Sequence, residues 1–186
     1  TNPVQIGSSG GTSNSQNLGG SGGGLVLLNV TGTSTINGTI SANGNSGAAL
    51  NFSGSGGGSG GAINITTSGL EGTGSVTAAG GLGGNDNEQG GSGGGGRIAV
   101  NFTTGSTTNL TLQSYGGAAV GTAEAGAAGT VFTKSGSQTN GSVLVDNNEI
   151  STSESVETLI TSVLALDSLT ATGSPLVQFN DSSAAT

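Results

Sequence analysis

Glycine-rich runs that each lead into a short apolar strand recur along this chain: Gly22-Gly23-Gly24 before Leu25-Val26-Leu27-Leu28, Gly60-Gly61 before Ala62-Ile63-Asn64-Ile65, Gly95-Gly96 before Arg97-Ile98-Ala99-Val100, and Ala128-Gly129 before Thr130-Val131-Phe132. With Gly24, Gly61, Gly96 and Gly129 as equivalent positions, the steps are 37, 35 and 33 residues. A period in this range marks an array of one supersecondary unit, which cannot bury its apolar face alone and must stack on its neighbours. The repeat limits the architecture before any single residue does.

Within each unit Val26, Leu28 and Val30, then Ile63 and Ile65, then Ile98, Val100 and Phe102 share one face, with Asn29, Asn64 and Asn101 on the other. A period of two means strand. A second strand follows at Thr39–Ala42, Ser75–Ala78, Asn109–Leu112 and Ser142–Val145, closed by the turn signals Asn43-Gly44, Gly80-Gly81, Gly116-Gly117 and Asn147-Asn148. Stacking equivalent strands in parallel at about 4.8 Å buries their narrow apolar faces and pairs the backbone. The expected fold is all-β, a parallel β-solenoid with repeats of about 35 residues, each preferably one coil of three short strands with glycine-rich corners. A β-sandwich of the same strands is the alternative. Gly24, Gly61, Gly96 and Gly129 are read as structural corners that need positive φ or close backbone approach. A phosphate-cradling loop does not suit these runs, because a strand and not a helix follows each and no GK[ST] occurs.

Composition narrows the function. The chain has 40 glycines, no cysteine or histidine, and only four Phe and one Tyr, so its core must be thin and built from Val, Ile, Leu and Ala. Nucleophilic triads and imidazole or thiolate metal sites are excluded. A net charge of −8, with Arg97 and Lys134 the only cations, argues against nucleic acid and anionic membrane surfaces. No apolar run approaches the ~18 residues of a membrane helix, so no membrane insertion is expected. Thr1 in place of an initiator Met is what a processed chain or an excised fragment would show.

Read as GGxGGxIxI followed by GxIxAxGG over residues 19 to about 148, the repeat resembles the Gly-rich parallel β-helix repeats of large bacterial surface proteins, of the filamentous-haemagglutinin and autotransporter-passenger kind. The resemblance implies a secreted, elongated surface or adhesin-like protein without catalysis. The chain departs from those families in being short and in showing no recognisable secretion cap or anchoring domain.

Three regions follow: a lead-in at 1–18, the repeats at 19–148, and an apolar terminal coil or subunit-contact segment at 149–186, where glycine falls to Gly173 alone. Leu159, Ile160, Val163, Leu164 and Leu166 are candidate contact residues, since this β-prone stretch with few charges is an aggregation hazard unless covered. Sequons begin at Asn29, Asn37, Asn51, Asn64, Asn101, Asn109, Asn140 and Asn180, candidate glycan acceptors in a secreted protein. Asn85-Asp86-Asn87-Glu88 and the pair Asp146 and Glu149 offer oxygen ligands, but neither has the spacing of a known calcium loop; no cofactor or metal is expected. Glu71, Asp86, Glu88 and Glu124 would have to supply the paired carboxylates of a polysaccharide-degrading enzyme, the distant alternative.

The expected function is therefore a non-enzymatic extracellular or cell-surface structural subunit, a homopolymer joined head-to-tail through its solenoid ends. An adhesive or carbohydrate-binding module of a longer surface protein, with surface carbohydrate as partner, is the alternative.

Overall fold

The computed structural model describes residues 3–13, 18–160 and 165–179. Thirteen strands occur in chain order: β1 (Leu25–Thr35), β2 (Thr39–Ser41), β3 (Ala49–Leu50), β4 (Ser53–Gly54), β5 (Ala62–Glu71), β6 (Ser75–Thr77), β7 (Arg97–Gly105), β8 (Thr111–Gln113), β9 (Thr130–Lys134), β10 (Ser142–Asp146), β11 (Thr158–Ile160), β12 (Ser168–Thr172) and β13 (Val177–Phe179). The chain is a β-solenoid of about three turns. The larger sheet runs β1-β5-β7-β9-β10-β12, the smaller one β2-β6-β8, with β3-β4 and β11-β13 as separate pairs.

The parallel register reproduces the repeat residue by residue. Val26 lies beside Ile63, Ile63 beside Ile98, and Ile98 beside Val131; Ile40, Val76 and Leu112 form the matching column of the smaller sheet. Branched side chains from both sheets meet between them, with Ile63, Ile65, Val76, Ile98 and Val100 fully buried and Leu70, Phe102 and Leu110 beside them. Each such side chain contributes about 1.5–3 kcal/mol of transfer free energy. Thr67 in β5 is one of the buried polar residues, its hydroxyl held by the carbonyls of Gly69 and Gly32 at 2.8 and 2.9 Å.

The third side of each coil is not a strand. Residues 19–24, 55–61, 90–96 and 126–129 run toward the first strands, and 42–48, 78–84 and 114–118 run back behind them. Their hydrogen bonds recur at every third residue. The amides of Gly20 and Gly23 donate to Gly56 and Ser59, those of Gly57 and Gly60 to Gly91 and Gly94, and those of Ser92 and Gly95 to Glu124 and Ala127. Between the two layers Ser55, Gly58 and Gly61 donate to Ala48, Asn45 and Ala42. A strand would repeat at every second residue, so a step of three identifies left-handed polyproline-II rods, which make no internal hydrogen bonds and bond only to their neighbours. The rod at 55–61 is bonded to 8–11, 20–23, 42–48, 81–84 and 91–94.

This packing explains the glycines: of the two grounds expected at the four corner positions, close approach holds at Gly61, Gly96 and Gly129, and positive φ at none. A Cβ on Gly61 would run into the carbonyl of Gly24, one on Gly96 into that of Gly61, and one on Gly129 into that of Gly96, whereas at Gly24, on the outermost coil, nothing lies within 4 Å. None of the four has positive φ; among the described glycines that conformation falls on Gly72, Gly105, Gly121, Gly141 and Gly173. Close approach, not turning, is what demands glycine.

A correction concerns Ser142–Val145. The repeat pattern places this stretch in the smaller sheet, but β10 folds back antiparallel on β9, Val143 opposite Phe132, and extends the larger one. In the second coil the rising strand is ten residues long and turns through Gly72, at φ 123°; β9 is only five residues long, and its chain reverses through 135–141, ending at Gly141 with φ 92°. The fourth repeat thus terminates the solenoid. The third second-strand also shifts by two residues, to Thr111–Gln113, which puts Leu112 and not Leu110 beside Val76.

Glycine at position 96 and glycine at position 24 should therefore differ although the repeat makes them equivalent. Gly96→Val is expected to cost more than about 3 kcal/mol in urea unfolding, because backbone and not a flexible side chain stands in the way. Gly24→Val should stay within about 1 kcal/mol of wild type.

Candidate interaction surfaces

The lead-in supplies a further rod on the outer side of the glycine layer. Gly7 and Gly10 donate to the carbonyls of Gly23 and Gly20 at 2.8 and 2.9 Å, and the carbonyls of Ser8 and Gly11 accept from Ser59 and Gly56 at 2.9 Å. It thus fills the furrow between the first two coils. Beyond it lies a groove of about 930 Å3, walled by residues 3–8 on one side and Glu157–Ile160 on the other, with Gly60, Gly94–Gly96 and Ala127–Gly129 as its floor. The Thr158 hydroxyl donates to the carbonyl of Ala128 at 2.7 Å and fixes the far wall. Arg97 stands at one end, donating to the side-chain oxygen of Gln5 at 3.1 Å.

The second surface is formed by the sheet edges. Among the described residues β1 is paired on one side only, by β5, and Leu27 and Leu28 on it are 56% and 38% exposed. Nothing would meet a Cβ at Gly24, Gly32 or Gly38, all on this first coil. At the opposite edge β12 is exposed along its whole length and, among the described residues, pairs only with β10.

The candidate contact residues are dispersed. Ile160 is buried in β11, which pairs with β13; Leu166 is half-buried against Val143 and Val145; Leu159 is exposed. Val163 and Leu164 lie outside the described residues, as does Asn180. Of the other sequons, Asn29, Asn37, Asn51, Asn109 and Asn140 are exposed, whereas Asn64 and Asn101 are half-buried and the Asn64 side-chain oxygen is enclosed without a partner. The acidic candidates are engaged locally. Asp86 accepts from the amides of Phe52 and Asn87 at 3.1 and 2.8 Å, and Asp146 from that of Asn148 at 2.8 Å. Glu71 closes β5 at the other end of the coil from the loop that holds Asp86 and Glu88, and Glu124 is exposed. No group of three Asp or Glu gathers among the described residues, nor does any helix among them have the length and apolarity to cross a membrane.

Two residues matter more than sequence reasoning foresaw. Asn147, wholly buried, accepts from the amide of Gly116 at 2.9 Å and donates to the carbonyls of Ile150 and Gly126 at 2.7 and 3.3 Å. On the preceding coils the same column is satisfied by backbone, Gly44 donating to Ala79 and Gly80 to Tyr115. The Asn147 amide therefore substitutes for the peptide group of a missing next coil. Asp167 sits where β12 begins and accepts from the amides of Gly141 and Asn140 at 3.1 and 3.2 Å. The Gly141 amide does most to hold its carboxyl below the usual aspartate range; desolvation opposes it, and the Asn140 and Thr139 amides add to the lowering.

Replacing Asn147 by Leu leaves the backbone groups of buried Gly116 and Gly126 and of half-buried Ile150 without their partner and should cost about 2–4 kcal/mol, read by chemical denaturation. For Asp167 the depressed pKa means the ionised form favours the folded turn. Its contribution is complete above the unfolded value of about 3.9 and disappears as pH falls through the lower folded value. Titration followed at the Gly141 amide by NMR should show a midpoint below 3.9, and Asp167→Asn should abolish that titration.

Family models, curated protein sequences and solved structures contain no match to this chain.

Proposed function

We propose that this chain is a non-enzymatic structural module of an extracellular filament or surface layer, joined head-to-tail through its two sheet edges. The observation that carries the proposal is the larger sheet itself, which among the described residues has six strands and an unpaired edge at each end, one of them an apolar-rich strand of eleven residues. Six strands at about 4.8 Å span about 24 Å, so the ends are large relative to the sides. Natural sheets blunt such edges with charge, proline or a covering element, and β1 has no charged residue and no proline. Because β10 reverses the chain, β12 runs antiparallel to β1. A β12 edge meeting the β1 of the next subunit would form an antiparallel ladder, a contact that does not close and so propagates.

The alternative, an adhesive module of a longer surface protein, is favoured by the groove on the glycine layer. Electron microscopy and sedimentation separate the two readings. Wild-type protein is expected to form fibres at high concentration, and the change Leu27→Lys, on the outward face of β1, to abolish them while leaving circular dichroism unchanged. A wild-type chain that stays monomeric throughout would overturn the filament reading.

A further inference from the structure

The groove beside the lead-in is an unfilled position of the glycine lattice. Each rod repeats every three residues, so equivalent groups on successive coils point in equivalent directions. Between the first and second coils the carbonyls of Gly20 and Gly23 and the amides of Gly56 and Ser59 face outward, and residues 7–11 satisfy all four. One coil further on, the corresponding groups are the carbonyls of Gly57 and Gly60 and the amides of Gly91 and Gly94. None of these four has a hydrogen-bond partner among the described residues. The first furrow is thus occupied and the second, with the same arrangement of donors and acceptors, is not.

We infer that this furrow binds a glycine-rich segment of another polypeptide in the polyproline-II conformation, running parallel to residues 7–11. The resident rod shows what the occupant must be. A Cβ on Gly7 would strike the carbonyl of Ser59 and one on Gly10 that of Gly56. Ser8 and Ser9, between them, are exposed. Recognition therefore asks for glycine at every third residue, Gly-x-x-Gly, and tolerates small polar residues between; the backbone supplies the bonds and the absence of Cβ supplies the specificity. The floor is not under the same restriction. A Cβ on Gly94 would meet only the Ala127 carbonyl at 3.6 Å and one on Gly91 only that of Glu124 at 3.9 Å, ordinary contacts. Side chains can be added there without disturbing the lattice.

The test uses a synthetic peptide with the sequence of residues 4–13, the segment that fits the adjacent furrow, added to the intact isotope-labelled protein. Saturable NMR shifts are expected at the Gly91 and Gly94 amides, with both becoming protected from hydrogen exchange. A peptide with alanine in place of the glycines corresponding to Gly7 and Gly10 should bind at least tenfold more weakly. Gly94→Leu should keep the native spectrum elsewhere and lose the binding; should that variant misfold, Gly91→Leu and the alanine peptide carry the same test. Absence of saturable shifts at Gly91 and Gly94, equal binding of the alanine peptide, or shifts confined to Gly56 and Ser59 through exchange of the resident rod would each overturn the inference. Concentration-dependent shifts at Gly91 and Gly94 without peptide would make the occupant a second copy of this chain and overturn assignment to another polypeptide. None of these readouts depends on filament formation.

Discussion

Everything in this molecule depends on glycine backbones approaching so closely that no Cβ fits between them. Ordering glycine costs more conformational entropy than ordering any other residue, and the side chains the rods bury in return are small ones such as Ala42, Ser55, Ala78 and Ser114. What offsets the cost is a dense set of backbone hydrogen bonds, each worth about 0.5–1.5 kcal/mol net, together with close Cα–H contacts to carbonyls. Such a lattice is stable only as a whole, since each rod has no bonds of its own. Gly58, at its centre, donates to Asn45 and accepts from Gly81, so loss of either neighbouring rod strands a buried group.

The lattice also sets the geometry of the strands. Rods bonded side by side hold successive coils in fixed register, and the parallel strands that continue from them inherit it: Ala62 follows Gly61 and pairs with both Leu25 and Arg97. The aliphatic core between the two sheets can then be thin. Its columns hold one branched residue per coil, Val26, Ile63, Ile98 and Val131, and burial at the middle coils is complete because each has a neighbour above and below. A sheet core and a side-chain-free lattice thus share one body, the first stabilised by transfer of apolar surface and the second by backbone pairing.

The strands and their stacking were legible because alternation of Ile63 and Ile65 or Ile98 and Val100 has no other economical meaning, and the glycine spacing fixed which strands are equivalent. The rods were not, because a glycine run carries no side-chain pattern from which to tell a corner from a polyproline-II segment; only the step of three in its hydrogen bonds does so. Ser142–Val145 misled for a related reason. Its alternation is that of any half-buried strand, and its direction is set by the short β9 and by Gly141, which local periodicity does not report. Asn147 reads in sequence as half of an Asn-Asn turn signal, yet its role is fixed by the column of Gly44, Gly80 and Gly116, fully visible only once coils are stacked.

The two ends of the solenoid are treated differently, and this asymmetry gives the molecule its polarity. At the far end the fourth repeat departs from the pattern: β10 reverses, Asn147 replaces a peptide group, and Thr158 meets the carbonyl of Ala128. Each change satisfies a group that a next coil would have satisfied. At the near end there is no such substitution. β1 keeps the strand length and alternation of an interior coil, and Gly24 keeps the glycine that only an interior position requires. Within the monomer Gly24 therefore carries the entropic cost of glycine with no packing gain. In the filament proposed above, the β12 edge of the next subunit would lie along β1 and cover the face of the first coil on which Gly24 stands.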